Sequence, residues 1–215
     1  MKNHITALRR CVAALILTLL PFTGLCRDRD QESVNREIFA RTLEAVSGAA
    51  DAPMGELVVR IAESFMDTPY VGGTLEVEPE ALQICMDKTD CILFVELSSC
   101  FALTVKGWKI VQGRQPVKAE PSYELLCDNI RNMRYRKGVV NGYSSRVHYT
   151  SEWLIQNHNN NIVNEYTSEL GKVHPQTFSY MTDHTGSYKQ LQHNPAEAVK
   201  VRRTEKWLDK QGPYY

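Results

Sequence analysis

A chain of 215 residues with 25 basic and 25 acidic side chains carries no formal net charge at pH 7, and 43% of it is hydrophobic. That is enough for one substantial core, and it lacks the basic excess of a nucleic-acid binder. The six histidines sit in no HExxH or Cys-x-x-Cys context and no P-loop or dinucleotide fingerprint occurs, so neither a metal nor a cofactor is expected.

Residues 1–26 read as a secretory signal, with Lys2, Arg9 and Arg10 ahead of the apolar run from Cys11 to Leu20. That run is too short to span a bilayer, so no stable membrane insertion is expected once it is removed. The product is then periplasmic or secreted and slightly acidic. Lipidation at Cys26 is the lesser reading, because a lipobox wants a small residue where Leu25 stands. Residues 27–36 are polar and charged, a flexible lead-in to a domain over 37–215.

The domain opens with a helix over 37–46, carrying Ile38, Leu43 and Val46, and a break over 47–53. A second helix over 54–65 places Leu57, Val58, Ile61 and Phe65 on one side. Pro69, Gly72 and Gly73 open a loop. The apolar run from Ile92 to Leu103 predicts a helix that ends at Gly107, with Asp90 or Thr89 as its N-cap and Cys91 in the first turn. Unpaired N–H groups and the positive end of the macrodipole favour a thiolate there, although a free cysteine also serves as a small core residue. Cys100, nine residues on, points to the opposite face of that helix, so the two do not pair. Residues 109–111 continue the helix or form a strand. Helices over 122–133, capped by Ser122, and over 150–156 flank a loop at 138–147. A turn follows at 157–161, then a short strand around Ile162, Val163 and Tyr166. Helices at 187–191 and 195–208 close the chain, the second amphipathic through Val199, Val201 and Trp207.

Several motifs occur in order between about Phe65 and Tyr188: Thr68-Pro-Tyr-Val-Gly-Gly-Thr-Leu-Glu76, Asp90-Cys91 followed by Phe94-Val95-Glu96, Arg134-Tyr135-Arg136 with Gly138, and Tyr143-Ser-Ser-Arg-Val-His148-Tyr149 followed by Trp153. Together they resemble the N-acetylmuramyl-L-alanine amidase-like group of the NlpC-type, papain-like superfamily of cell-wall cysteine hydrolases. The resemblance implies an α+β fold with a papain-like core, Cys91 as the catalytic nucleophile, and peptidoglycan fragments (muropeptides) as partners. It also implies that Tyr70 lines the substrate site, with Glu76 beside it or anchoring the loop. Arg146 either clamps substrate carboxylates or pairs with Glu76 or Glu96. His148 shapes the cleft.

The family's general-base histidine belongs to a Gly-Leu-Asp-x-x-His-Val-Gly-like segment, which these 215 residues do not contain. The domain is therefore expected to be C-terminally incomplete, helix-rich for want of its closing sheet, and inactive by itself. The function that follows is a secreted amidase-like protein cutting between N-acetylmuramic acid and L-alanine. The alternatives are an endopeptidase acting after D-glutamate in the stem peptide, and a non-catalytic relative.

Overall fold

The computed structural model describes residues 23–212 and Tyr214; the segment read as a signal lies almost wholly outside the described residues. The first helix, α1 (Thr23–Val46), is longer than its apolar spacing suggests. The supposed flexible lead-in is the middle of this helix. Its Asn35 is 3% exposed, donating Nδ2 to the Ile84 carbonyl at 2.8 Å and accepting the Met86 N–H at 3.1 Å. A polar stretch was thus fixed by one buried amide that pairs with the backbone of a distant loop, a link that local composition does not encode.

Next come α2 (Met54–Glu63) and α3 (Cys91–Val105). α3 is apolar nearly all round, the composition of a helix enclosed by protein. It packs between α2 and α4 (Tyr123–Arg134), burying Leu93, Leu97, Cys100, Phe101 and Leu103. Phe101 lies 5.5 Å from Phe39 of α1 and 5.8 Å from Phe65, ring centre to ring centre, joining three segments in one core. α4 starts where expected, with Ser122 Oγ accepting the Leu125 N–H at 3.0 Å.

The sheet among the described residues is small: β1 (Trp108–Lys109) runs antiparallel to β2 (Val117–Lys118). Buried Asn129 of α4 closes off β1, accepting the Ile110 N–H at 2.8 Å and donating to the Trp108 carbonyl at 2.9 Å. Helices dominate the rest: α5 (Thr150–Asn159), α6 (Thr167–Leu170), α7 (Tyr180–Asp183), α8 (Lys189–His193) and α9 (Pro195–Leu208). The architecture is helix-rich with a minor sheet, in keeping with an α+β class. No strand forms at 162–166, where Ile162 and Val163 instead donate their N–H groups to the Asn157 carbonyl behind α5.

A second apolar cluster of Tyr143, Met181, Leu191 and Val201 sits beside the main core. It explains why α9 buries a different stripe from the expected one. Val201 and Leu208 are enclosed, whereas Val199 is 52% and Trp207 41% exposed. Glu205, fully buried on the same stripe, accepts from Tyr149 Oη at 2.8 Å and from the Thr182 N–H at 3.2 Å, so a carboxylate occupies a position that pattern reading gives to an apolar residue.

Candidate functional site

Asp90 caps α3, its Oδ1 accepting the Ile92 N–H at 3.1 Å and the Leu93 N–H at 2.9 Å. Cys91 is therefore the first helical residue, and its own N–H stays outside the cap. Its side chain is exposed, while Cys85 and Cys100 are buried and Cys127 is intermediate. Burial pushes the Cys85, Cys100 and Cys127 thiols up, Cys127 to about 11. Among the four, Cys91 combines solvent access with a helix start.

The loop before it is pinned. Val71 donates its N–H to the Thr89 carbonyl at 2.8 Å and Thr89 donates to the Pro69 carbonyl at 2.9 Å, a parallel bridge that holds Tyr70 beside the nucleophile segment. The Tyr70 side chain is 73% exposed.

A cleft of about 340 Å³ opens next to the start of α3, with Asp90 and Ile92 on either side of Cys91 in its wall. Glu76, Arg146 and His148 also line it, so three of the expected site residues converge there. Cys91 and Tyr70 lie outside its lining.

Arg146 is 5% exposed and committed. Its Nη2 donates to Glu76 Oε1 at 2.9 Å, and its Nε lies 3.1 Å from Glu80 Oε1. Burial works against this guanidinium, but the two carboxylates outweigh it and hold Arg146 above its usual range. Of the roles open to Arg146 in the sequence, the pair with Glu76 is the one formed; Glu96 is occupied elsewhere. Glu80 also accepts from Tyr135 Oη at 2.7 Å, and burial holds its carboxyl above the ordinary range.

His148 is half-buried against Tyr143, 4.3 Å between ring centres, with Nε2 2.9 Å from the Tyr143 carbonyl. A carbonyl only accepts, so Nε2 carries the proton and Nδ1 is bare. Burial, then the neighbouring Arg146, lower its pKa to about 3. A neutral, anchored imidazole of this kind is a wall of the cleft, far from the poise of a general base near neutrality. Elsewhere, ring nitrogens of His158 and His184 face backbone carbonyls, and among the described residues no histidine is hydrogen-bonded to Cys91. No group of His, Cys, Asp and Glu among them is arranged to hold a metal.

At the floor of the cleft Glu96, one of the two partners the sequence offers Arg146, is instead held by Arg134 and Trp153, to which the motifs assign no individual role. Arg134 donates Nε to Glu96 Oε2 at 2.7 Å, and Trp153 donates its indole N–H to Glu96 Oε1 at 3.2 Å. Both charged side chains are almost fully enclosed, 3% and 1% exposed. The signal was present: one carboxylate in an otherwise apolar helix must have a partner, and Arg134 and Trp153 both stand in the shared motifs.

Comparison with known proteins gives this geometry a context. A solved N-acetylmuramoyl-L-alanine amidase from Bacteroides uniformis ATCC 8492 is 29% identical, with a TM-score of 0.64 over 75% of this chain and 64% of its own. A second structure of an amidase so named from the same organism is 30% identical, TM-score 0.63, over 72% and 61%. A Bacteroides fragilis protein named a "putative xylanase" is 32% identical, TM-score 0.58, over 68% and 60%. The chain thus spans under two thirds of the length of these relatives. No curated protein sequence matches it. The family model described as N-acetylmuramoyl-L-alanine amidase-like (AmiA-like) matches residues 60–214, from α2 through the end of α9 and including every residue of the cleft, and the chain belongs to that family.

Proposed function

We propose that this chain provides the nucleophile and the substrate cleft of a peptidoglycan amidase acting between N-acetylmuramic acid and L-alanine, in an exported protein. The observation that carries the proposal is an exposed cysteine at the first position of α3, flanked by two residues that line a cleft. In this reading the Cys91 thiolate attacks the lactyl carbonyl of the muramyl group and the peptide amine leaves with a proton. Water then releases the acyl group from sulfur. The Cys91 N–H, unspent by the Asp90 cap, is the natural donor to the developing oxyanion. Glu76, with one oxygen on Arg146 and 42% of its side chain exposed, faces the substrate, and Tyr70 contacts it from the rim. His148 keeps the wall in place.

Residues 23–212 place no imidazole on Cys91, so turnover requires a base that they do not supply. The test is mass spectrometry of muramyl dipeptide incubated with the chain, alone and with added imidazole. Imidazole should induce release of the dipeptide, and Cys91→Ala should abolish it. Robust turnover without imidazole, lost on His148→Ala, would make His148 the base and overturn this assignment of roles.

A further inference from the structure

A larger cavity, about 760 Å³, lies between α5, α9 and the turn after α4, and shares no lining residue with the cleft beside Cys91. Its size falls within the range of small-molecule sites. Ile155 and the half-exposed Trp207 supply apolar surface. Most polar groups around it are already spent. Glu152 receives the Arg136 guanidinium with both carboxylate oxygens, and the Gln156 amide donates to backbone carbonyls of Asn132, Met133 and Tyr135.

What remains is a set of donors. Asn160 is 1% exposed and is oriented by the Gly113 N–H, which its Oδ1 accepts at 2.9 Å; its Nδ2 has no acceptor. A buried donor left unpaired is costly, and in a cavity wall it calls for an acceptor on a ligand. Lys137 and Arg203 add two cations that form no ion pair among the described residues. Lys137 is moreover held at φ 56°, beside Gly138 at φ 66°, a backbone arrangement a side chain rarely adopts and one that gathers at ligand sites. Hydrocarbon alone would satisfy Trp207 and waste the donors. A ligand with an apolar face, a carbonyl and a carboxylate uses all of them.

We propose that this cavity is a second binding site, separate from the Cys91 cleft, for a saccharide-sized ligand bearing an acceptor carbonyl and a carboxylate, of which an N-acetylated sugar acid is the simplest. The indole of Trp207 takes the sugar's C–H face, Asn160 Nδ2 donates to the acetamido oxygen, and Lys137 and Arg203 hold the carboxylate. This inference rests on the cavity alone and stands or falls independently of Cys91 chemistry.

The test is titration of the 215-residue chain with N-acetylmuramic acid, followed by ligand-observed NMR, with N-acetylglucosamine as the sugar that lacks the carboxylate. Saturable binding of the acid, about tenfold tighter than that of its neutral counterpart, is expected. Arg203→Glu and Trp207→Ala should each weaken it by about tenfold, while Glu63→Gln, exposed at the end of α2 and in neither lining, leaves it unchanged. Arg203 is exposed, so its variant decides the matter even if Trp207→Ala folds poorly. Equal affinity for the two sugars, no saturable binding, or loss of binding on Glu76→Gln but not on Arg203→Glu would each overturn the proposal.

Discussion

Acidification from pH 7 to pH 5 should destabilise this protein through His148, and the amount can be worked out. In the unfolded chain the imidazole titrates near 6.5. In the fold, burial and the Arg146 charge lower it to about 3. Between those values the unfolded state holds a proton that the native state does not, so stability is full above about 6.5 and falls as pH drops towards about 3. The slope is about 1.36 kcal/mol per pH unit for one proton, which gives a loss of about 2 kcal/mol between pH 6.5 and pH 5. For a domain of this size that is a fall of about 4–8 °C in Tm. Glu80 opposes the effect: burial raises its pKa, so its native state gains protons first and is favoured in acid. The measurement is therefore a difference. Urea melts of wild type and His148→Gln at pH 7 and pH 5 share the Glu80 contribution, and glutamine retains a donor for the Tyr143 carbonyl without titrating. The stability gap between the two proteins should move by about 2 kcal/mol in favour of the variant as pH falls. Parallel pH dependences would refute the neutral imidazole held against the Tyr143 carbonyl.

Brief iodoacetamide treatment with mass mapping should alkylate Cys91 ahead of Cys85, Cys100 and Cys127, since only Cys91 among them is exposed; earlier labelling of Cys100 would contradict the arrangement of α3. Glu96→Ala strands the Arg134 guanidinium in the core and removes the acceptor of the Trp153 indole, so chemical denaturation should show a loss of about 3–5 kcal/mol. Gly138→Ala should cost about 1–3 kcal/mol, because φ is 66° and the added carbon would collide with Asn132 Oδ1. Gly72→Ala, with nothing within 4 Å, should be near neutral in the same melts.

The helices that carry the core were legible where an apolar stripe and a cap agree. Asp90 and Ser122 mark the starts of α3 and α4, and Leu57, Ile61 and Phe65 follow helical spacing into the core. The motifs located the cleft residues Glu76, Arg146 and His148. The failures share a cause: long-range polar contacts. Asn35 belongs to a stretch that reads as a solvated leader, yet it is enclosed because a loop some fifty residues later offers it a carbonyl and an amide. Glu205 disguises the buried stripe of α9 because its partners lie on α7 and at Tyr149. Residues 162–166 have strand-forming composition but no neighbouring strand among the described residues, so their N–H groups turn back to α5. Periodicity reports which face is apolar; it is silent on which polar side chain will find a mate.

Inside the cleft, Glu96 is matched by Arg134, and Arg146 by Glu76 and Glu80, before any ligand arrives. A strongly ionic visitor would have to displace a partner that is already in place, and would meet like charge when it did. An uncharged amide or sugar hydroxyl inserts without that exchange. The walls therefore meet a ligand as closed ion pairs rather than as free charges, so an amide bond can hydrogen-bond along them without unseating a partner.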